Sequence, residues 1–274
     1  MIKTIIIILT LLISIVANDS NAQKAEKIEA LSIGDSFRIN SANLKEKRRI
    51  NVYMPQAYSA QPNVKLPVIY MPDGGINEDF LHIAGLIQIG ALNWTMRPFI
   101  LVGIENTDRK RDLTGPTSNP EDKKIGKRIG GSNAYRKFIR QELMPIINQR
   151  YRTTGETAII GESLAGLFVV ETFLNEPDLF DSYIAIDPSL WWNNQHLVKT
   201  AKSTIEKTNK TPRNLHLAAS SQQGIVEPTK KLALILRNEE KLDVSFKEYP
   251  HETHLSIYHP AALDALRLLF KRNN

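Results

Sequence analysis

The sequence predicts an α/β fold, with a mostly parallel central sheet, an antiparallel N-terminal edge and helices on both faces. Apolar, β-branched runs of strand length alternate along the chain with longer stretches of helical periodicity. The segment from Arg49 to Met54 instead alternates apolar with polar residues, as a half-buried antiparallel edge strand does. The length of 274 residues is sufficient for one large domain of this class.

The elements follow in order along the chain. A short strand is expected around 36–39, before the alternating strand. More uniformly apolar runs predict buried strands at 65–70, 98–104, 181–186, 214–219 and 244–249. Helices are predicted over 78–90, 132–150, from residue 164 to about 175, over 228–238, and at the end around 262–270. Pro145 lies within the second helix and predicts a kink or a break there.

Residues 23–274 show no repeat and are expected to form a single domain.

The segment from Thr157 to Phe168, TAIIGESLAGLF, contains the first candidate for catalysis. A strand-like apolar run meets Ser163 between small residues, and a helix-like run follows. This pattern is typical of a nucleophile elbow, in which a sharp strand-to-helix turn exposes the serine hydroxyl. Gly161 provides the small volume that the turn requires, and Ala165 stands where the strict pattern has Gly. A helix that simply begins at an N-cap serine is the alternative interpretation.

A catalytic serine needs a base and an acid that orients the base, and on such a sheet they follow in the order Ser, acid, His. His254 comes directly after the last predicted strand and is the first choice of base, with His251 as the alternative. Glu227, after the strand at 214–219, is the first choice of acid. Asp187 follows the preceding strand and is the second choice. A Ser–His dyad without an acid also remains open.

Acyl transfer also requires two backbone N–H donors for the oxyanion. We expect them at Leu164, directly after the serine, and at Gly75, in the loop after a central strand. No cofactor is expected. A metal is not expected either, since His251 and His254 have no evident third ligand and the sequence contains no Cys.

The segment from Glu105 to Gly131 is predicted to be a long loop without regular structure. Its basic residues are Arg109, Lys110, Arg111, Lys123, Lys124, Lys127 and Arg128. Because it follows a central strand, this loop is expected over the active-site edge, where Arg111 would attract anionic substrates; an ordinary solvated surface is the alternative. Trp191 and Trp192 are candidates for an aromatic wall of the substrate site or for core packing.

The N-terminus is typical of a secretory signal peptide. Met1-Ile2-Lys3 precedes an apolar run from Thr4 to Ala17, and small residues precede a cleavage site after Ala22. The run is short for a membrane span, which needs about 20 residues, although a retained anchor is the alternative. We therefore expect an exported protein, periplasmic or secreted, with no stable membrane span. Nucleic-acid binding is not expected, because no binding motif accompanies the net charge of +6.

Several blocks in a fixed order resemble a known family. They are Tyr70-Met71-Pro72-Asp73-Gly74, Arg111-Asp112-Leu113-Thr114, Glu142-Leu143-Met144-Pro145-Ile146-Ile147, Tyr151-Arg152-Thr153, Gly161 to Phe168, Pro188-Ser189-Leu190-Trp191-Trp192 and Glu252-Thr253-His254-Leu255-Ser256. Between about Arg48 and Phe270 the chain resembles the putative esterase family of the α/β-hydrolase superfamily, which includes esterase-D-like enzymes, siderophore esterases and feruloyl esterases.

The resemblance implies the α/β-hydrolase fold, with Ser163 as nucleophile and His254 as base, and it supports Glu227 as acid. Three positions depart from the family: Ala165 replaces the usual Gly, Asp187 stands where relatives usually carry Ser, and Leu255 stands where Gly is common. We therefore expect a secreted serine esterase that cleaves carboxylic esters, of siderophore or aryl type, through an acyl-enzyme. An acyltransferase and a catalytically inactive binding protein are the alternatives, and the oligomeric state is open.

Overall fold

A computed structural model describes residues 28–208 and 211–272. The expected signal peptide, residues 1–22, lies outside the described residues. Residues 33–274 group into one compact unit. Among the helices that are described, none has the length and hydropathy needed to cross a membrane.

The unit is built on an eight-stranded sheet with the order β1-β2-β4-β3-β5-β6-β7-β8. The strands are β1 (Gly34–Ser41), β2 (Glu46–Tyr53), β3 (Leu66–Met71), β4 (Ile100–Ile104), β5 (Thr153–Glu162), β6 (Ser182–Ile186), β7 (Arg213–Ser220) and β8 (Leu242–Tyr249). β2 pairs antiparallel with β1 and with β4, and every other pairing is parallel. The predicted mostly parallel sheet with an antiparallel N-terminal edge is therefore confirmed, although β1, not β2, is the outermost strand.

Helices cover both faces of the sheet. They are α1 (Gln56–Ala60), α2 (Phe80–Leu92), α3 (Arg109–Leu113), α4 (Ser132–Phe138), α5 (Met144–Arg150), α6 (Leu164–Asn175), α7 (Trp192–Thr208), α8 (Gln223–Leu236) and α9 (Tyr258–Leu269). Successive residues of a strand face opposite sides of a sheet. Tyr70 of β3 accordingly packs into the core formed with α4 to α8, whereas Ile69 packs into the core formed with α2 and α9. The sheet is thus buried on both faces, which explains its uniformly apolar strands.

The basic segment between β4 and α4 is ordered, contrary to the expectation of a structureless loop. It contains α3 and a 3-10 turn at Asp122–Lys124. Buried polar contacts fix it: the Arg48 side chain, 1% exposed, pairs with Asp112 of α3. The prediction for this segment considered only its Lys and Arg residues, and it therefore did not identify Asp112 as the buried partner of Arg48.

The break expected at Pro145 takes the form of a π-helical turn, Ile139–Leu143, directly before α5. Pro145 is the second residue of α5 and follows helical residues directly, so the π-helical turn accommodates the missing backbone N–H. The start of α8 differs more strongly from the predicted helix boundary. α8 begins at Gln223, before the predicted start at Pro228, so that Glu227 lies inside the helix.

Candidate active site

Ser163 occupies a sharp turn between β5 and α6. Its φ of 60° and ψ of −118° lie outside the regions that most residues adopt. Small neighbours are required here, because a Cβ at Gly161 would lie 2.7 Å from the Ala165 Cβ. A Cβ at Gly166 would lie 2.9 Å from the carbonyl oxygen of Ile186, so α6 passes close to the sheet. The strand–turn–helix geometry is that of a nucleophile elbow.

His254 lies in the loop after β8 and faces the serine. Its Nε2 is 3.1 Å from Ser163 Oγ, and its Nδ1 is 2.7 Å from Asp187 Oδ2. Both distances are in the range of hydrogen bonds. The structure therefore brings a hydroxyl, an imidazole and a carboxylate into one hydrogen-bonded chain. His251, the alternative base, is exposed at the start of the same loop.

Asp187 directly follows β6 and is completely buried. The backbone N–H of Ser220 donates to Asp187 Oδ1 at 2.6 Å, and the Ser220 hydroxyl donates to Oδ2 at 2.9 Å. The backbone at Asp187 has a φ of 47°, which is uncommon for a residue other than Gly. These contacts fix the carboxylate against His254, and the hydrogen bond raises the pKa of the imidazole.

The hydrogen bonding corrects the expectation that Glu227 accompanies His254. Glu227 is exposed on α8, and the carboxylate bonded to the imidazole belongs to Asp187. The physical reason is the early start of α8, which places Glu227 in a helical turn rather than in the loop after β7. Ser220, which the sequence analysis did not identify, ends β7 beside Asp187 and fixes its carboxylate.

The two expected oxyanion donors differ in their surroundings. Leu164 is the first residue of α6, where a backbone N–H has no acceptor within its own helix. The N–H of Gly75 instead donates to Glu78 Oε2 at 2.6 Å. Glu78 also accepts a hydrogen bond of 3.0 Å from Asn106 Nδ2. A carboxylate thus contacts the backbone donor that the sequence assigns to the oxyanion.

Further acidic groups act electrostatically on the residue that precedes the serine. Burial raises the pKa of Glu162, the residue before Ser163, to about 7. Burial likewise raises the pKa of Asp79 to about 6, and the neighbouring Asp73 adds to this effect. Arg109 pairs with Asp73 through two hydrogen bonds of 2.7 and 2.8 Å. The surroundings of the candidate nucleophile are therefore more acidic than the basic segment led us to expect.

The three candidate substrate-binding residues, Arg111, Trp191 and Trp192, differ in their exposure and in their hydrogen-bond partners. Arg111 donates to Glu46 at 2.7 Å and to Asp112 at 2.6 Å, so protein carboxylates already engage its guanidinium. This corrects the expectation of an Arg111 free for anionic substrates. Trp191 is 37% exposed. Trp192 is buried, and its Nε1 donates to the carbonyl of Gly115 at 3.0 Å, as expected for a core position.

Comparison with known proteins identifies the family of the chain. The model of the family described as "Putative esterase" matches residues 41–260. The chain belongs to the putative esterase family. Among curated relatives of this esterase, the ferri-bacillibactin esterase BesA of Bacillus subtilis is 29% identical in an alignment of 259 positions that covers 85% of this chain and 89% of BesA. A siderophore triacetylfusarinine C esterase of Aspergillus fumigatus is 30% identical over 52% of this chain and 50% of its own length.

Solved structures resemble the esterase over most of its length. An IroE-like serine hydrolase from Shewanella oneidensis superposes with a TM-score of 0.77 at 30% identity, covering 87% of this chain and 80% of that one. The BES protein from Bacillus cereus superposes with a TM-score of 0.78 at 23% identity, covering 93% and 100%. The α/β-hydrolase fold is thereby confirmed, and the relatives support hydrolysis of ester bonds in small molecules.

Proposed function

We propose that this protein is a serine esterase in which Ser163 attacks the carbonyl of a carboxylic ester, His254 acts as general base and Asp187 orients His254. The observation that carries the proposal is the continuous hydrogen-bonded chain from Asp187 Oδ2 through the imidazole to Ser163 Oγ. A serine hydroxyl is a poor nucleophile at neutral pH, and such a chain is the arrangement that activates it.

The reaction proceeds in two halves. His254 Nε2 accepts the hydroxyl proton as Ser163 Oγ attacks, and the imidazolium formed is stabilised by Asp187. The imidazolium then protonates the departing alcohol, which leaves an acyl group on Ser163. In the second half, His254 deprotonates a water that attacks this acyl-enzyme, and the imidazolium then returns the proton to Ser163 Oγ as the bond between Oγ and the acyl group breaks and the acid is released. The backbone N–H groups of Leu164 and Gly75 would stabilise the oxyanion in both halves.

Glu78 has to leave the Gly75 N–H when the oxyanion forms, because one N–H cannot serve both acceptors equally well. The bond of 2.6 Å between them is charge-assisted, and bonds of this kind are stronger than neutral ones. Exchange of the carboxylate for the oxyanion is therefore part of the proposed reaction.

We propose a siderophore-type ester as substrate, because the Aspergillus fumigatus relative and a relative from Emericella nidulans are named siderophore esterases, and BesA is named a ferri-bacillibactin esterase. Much of the basic segment is paired internally: Arg109 bonds Asp73, and Arg128 bonds Asp108 at 2.6 Å. An anionic ferric complex would therefore be bound by basic residues that do not take part in these ion pairs. Lys123 and Lys127 are exposed in this segment.

Two experiments test the proposal. Ser163→Ala should abolish hydrolysis of p-nitrophenyl short-chain esters, and unchanged hydrolysis would place the nucleophile elsewhere. A panel of simple esters, feruloyl esters and ferric siderophores tests the substrate class separately. The highest kcat/KM is expected for a ferric siderophore ester, whereas preference for a feruloyl ester would overturn the substrate class but retain the mechanism.

We further propose that the enzyme is exported after cleavage behind Ala22. The mature protein, isolated from the culture medium or the periplasm, should begin at Gln23 by N-terminal sequencing. An uncleaved chain in the membrane fraction would instead indicate a retained anchor.

A further inference from the structure

A cavity of about 290 Å³ lies between α6, α7 and the segment that contains Gly115 and Pro116. Leucines of α6 and α7 and the buried Trp192 line it, together with Glu171. None of these residues takes part in the proposed reaction. The volume suits a small organic molecule of about ten heavy atoms, at the lower end of ligand pockets.

Glu171 is the one carboxylate among the described residues that line this cavity, and it is only 7% exposed. Its Oε1 accepts a hydrogen bond of 2.9 Å from the hydroxyl of Ser132. Its Oε2 is buried and has no hydrogen-bond partner in the part of the chain that the structure describes. A buried carboxylate oxygen without a donor is costly, because protein contacts do not replace the lost hydration.

Arg136 neutralises this carboxylate only in part. Its Nη1 lies 3.3 Å from Glu171 Oε1 without hydrogen-bond alignment, whereas its Nε donates to Glu176 at 3.1 Å. One guanidinium is therefore shared between two carboxylates, and its aligned bond goes to Glu176. The charge on Glu171 is thus incompletely paired, and the lining residues described include neither Lys nor Arg.

The backbone of Gly115 packs directly against the carboxylate. A Cβ at Gly115 would lie 2.7 Å from Glu171 Oε1 and 3.1 Å from Oε2, so any side chain there would collide with the carboxylate. Next to Trp192, three successive residues, Asn193–Gln195, have φ between 48° and 61°. Left-handed backbone is costly for residues other than Gly, and strain of this kind is concentrated at functional sites.

A second carboxylate makes the cavity wall more negative. Asp122 is 2% exposed and accepts the backbone N–H of Asn193, a lining residue, at 2.7 Å. We propose that this cavity binds a small organic cation, a primary ammonium on an apolar body. The ammonium would donate to Glu171 Oε2, and the apolar body would pack among the leucines and Trp192, where an indole ring also stabilises a cation.

The test uses isothermal titration calorimetry with 2-phenylethylamine at pH 8, where primary amines are protonated, and with 2-phenylethanol as the neutral isostere. We expect saturable binding of the amine and binding of the alcohol that is at least about tenfold weaker, as expected for the loss of one charge-assisted hydrogen bond. No saturable binding of the amine, or equal binding of the two compounds, would overturn the proposal.

Variants locate the binding. Glu171→Gln should remove amine binding, and Glu206→Gln is the matched control that should retain it, because Glu206 is exposed on α7 and does not line the cavity. Thr200→Phe fills the cavity without altering the carboxylate network, so it keeps the test valid if Glu171→Gln does not fold. Ser163→Ala should bind the amine like the unmodified chain. Loss of binding in Ser163→Ala, or binding retained in both cavity variants, would contradict a site separate from the active site.

Discussion

His254 Nδ1 lies 2.7 Å from Asp187 Oδ2, so the carboxylate that is hydrogen-bonded to the imidazole follows β6 rather than β7. The two strands are parallel neighbours, and their carboxyl ends open at the same edge of the sheet. An acid from either strand end can therefore approach the same histidine. In this chain the Asp187 backbone, with its φ of 47°, and the two donors from Ser220 direct the carboxylate to His254.

Exchange of the acid tests this assignment. Asp187→Asn should lower kcat by about 10³-fold or more, because an amide stabilises the imidazolium poorly and favours the wrong tautomer. Glu227→Gln should leave kcat within about twofold, since Glu227 is exposed on α8. Both are measured as kcat on a neutral p-nitrophenyl ester. The opposite ranking of the two variants would return the role to Glu227.

The pH profile should respond to Glu162. The bond with Asp187 raises the pKa of His254, and the negative charge of Glu162 raises it further. Because the base acts in its neutral form, activity is lost as the pH falls through this raised pKa. Glu162→Gln removes the charge, and the acidic limb of kcat/KM should move to lower pH. Glu248→Gln, an exposed charge on β8, is the control that should not move it. If the acidic limb of kcat/KM does not move in Glu162→Gln, the charge of Glu162 does not affect the pKa of His254.

Removal of the Glu78 carboxylate should accelerate acylation. Glu78→Ala frees the Gly75 N–H from a charge-assisted bond of 2.6 Å. If loss of this competing bond lowers the barrier to acylation by about 1.4 kcal/mol, the acylation rate constant rises about tenfold. Pre-steady-state acylation of a p-nitrophenyl ester measures the effect, and Glu105→Ala, a neighbouring acid, is the control. A slower Glu78→Ala enzyme that unfolds at the same urea concentration would indicate that Glu78 supports catalysis and does not compete with it.

The free energy of unfolding should depend strongly on Arg48. Its side chain is 1% exposed and pairs with Glu46 and Asp112, and its Nη1 donates to the carbonyl of Glu105 at 3.1 Å. Arg48→Met leaves Asp112 buried without this partner and should cost about 3–5 kcal/mol in urea unfolding. The side chain of Arg49 is 38% exposed. Arg49→Met should therefore change the free energy of unfolding by less than about 1 kcal/mol. Equal losses in the two variants would contradict a structural role for the buried pair.

The sequence predicts the sheet and the Ser163–His254 pair because both depend on local patterns. Uniformly apolar runs identify strands that are buried on both faces, and the small residues around Ser163 are required by the close approach of α6. His254 could be placed because it follows the last strand, and the carboxyl ends of parallel strands converge at one edge.

The acid and the surroundings of the oxyanion could not be predicted in the same way. Asp187 and Glu227 both follow parallel strands, and Pro228 falsely indicated a helix start after Glu227. The two acids are distinguished by the backbone conformation at Asp187 and its contacts with Ser220, and by the start of α8 at Gln223, which places Glu227 inside the helix. The contact of Glu78 with Gly75 depends on the turn before α2, and no periodicity in the sequence encodes it.

Covalent labelling tests the activated serine most directly. The unmodified enzyme, treated with a fluorophosphonate and digested, should carry one adduct in mass spectrometry, on the peptide that contains Ser163. His254→Ala should lose nearly all of this labelling, and Asp187→Asn should label far more slowly than Glu227→Gln. An adduct on another residue, or labelling of Ser163 at an undiminished rate in His254→Ala, would contradict the account.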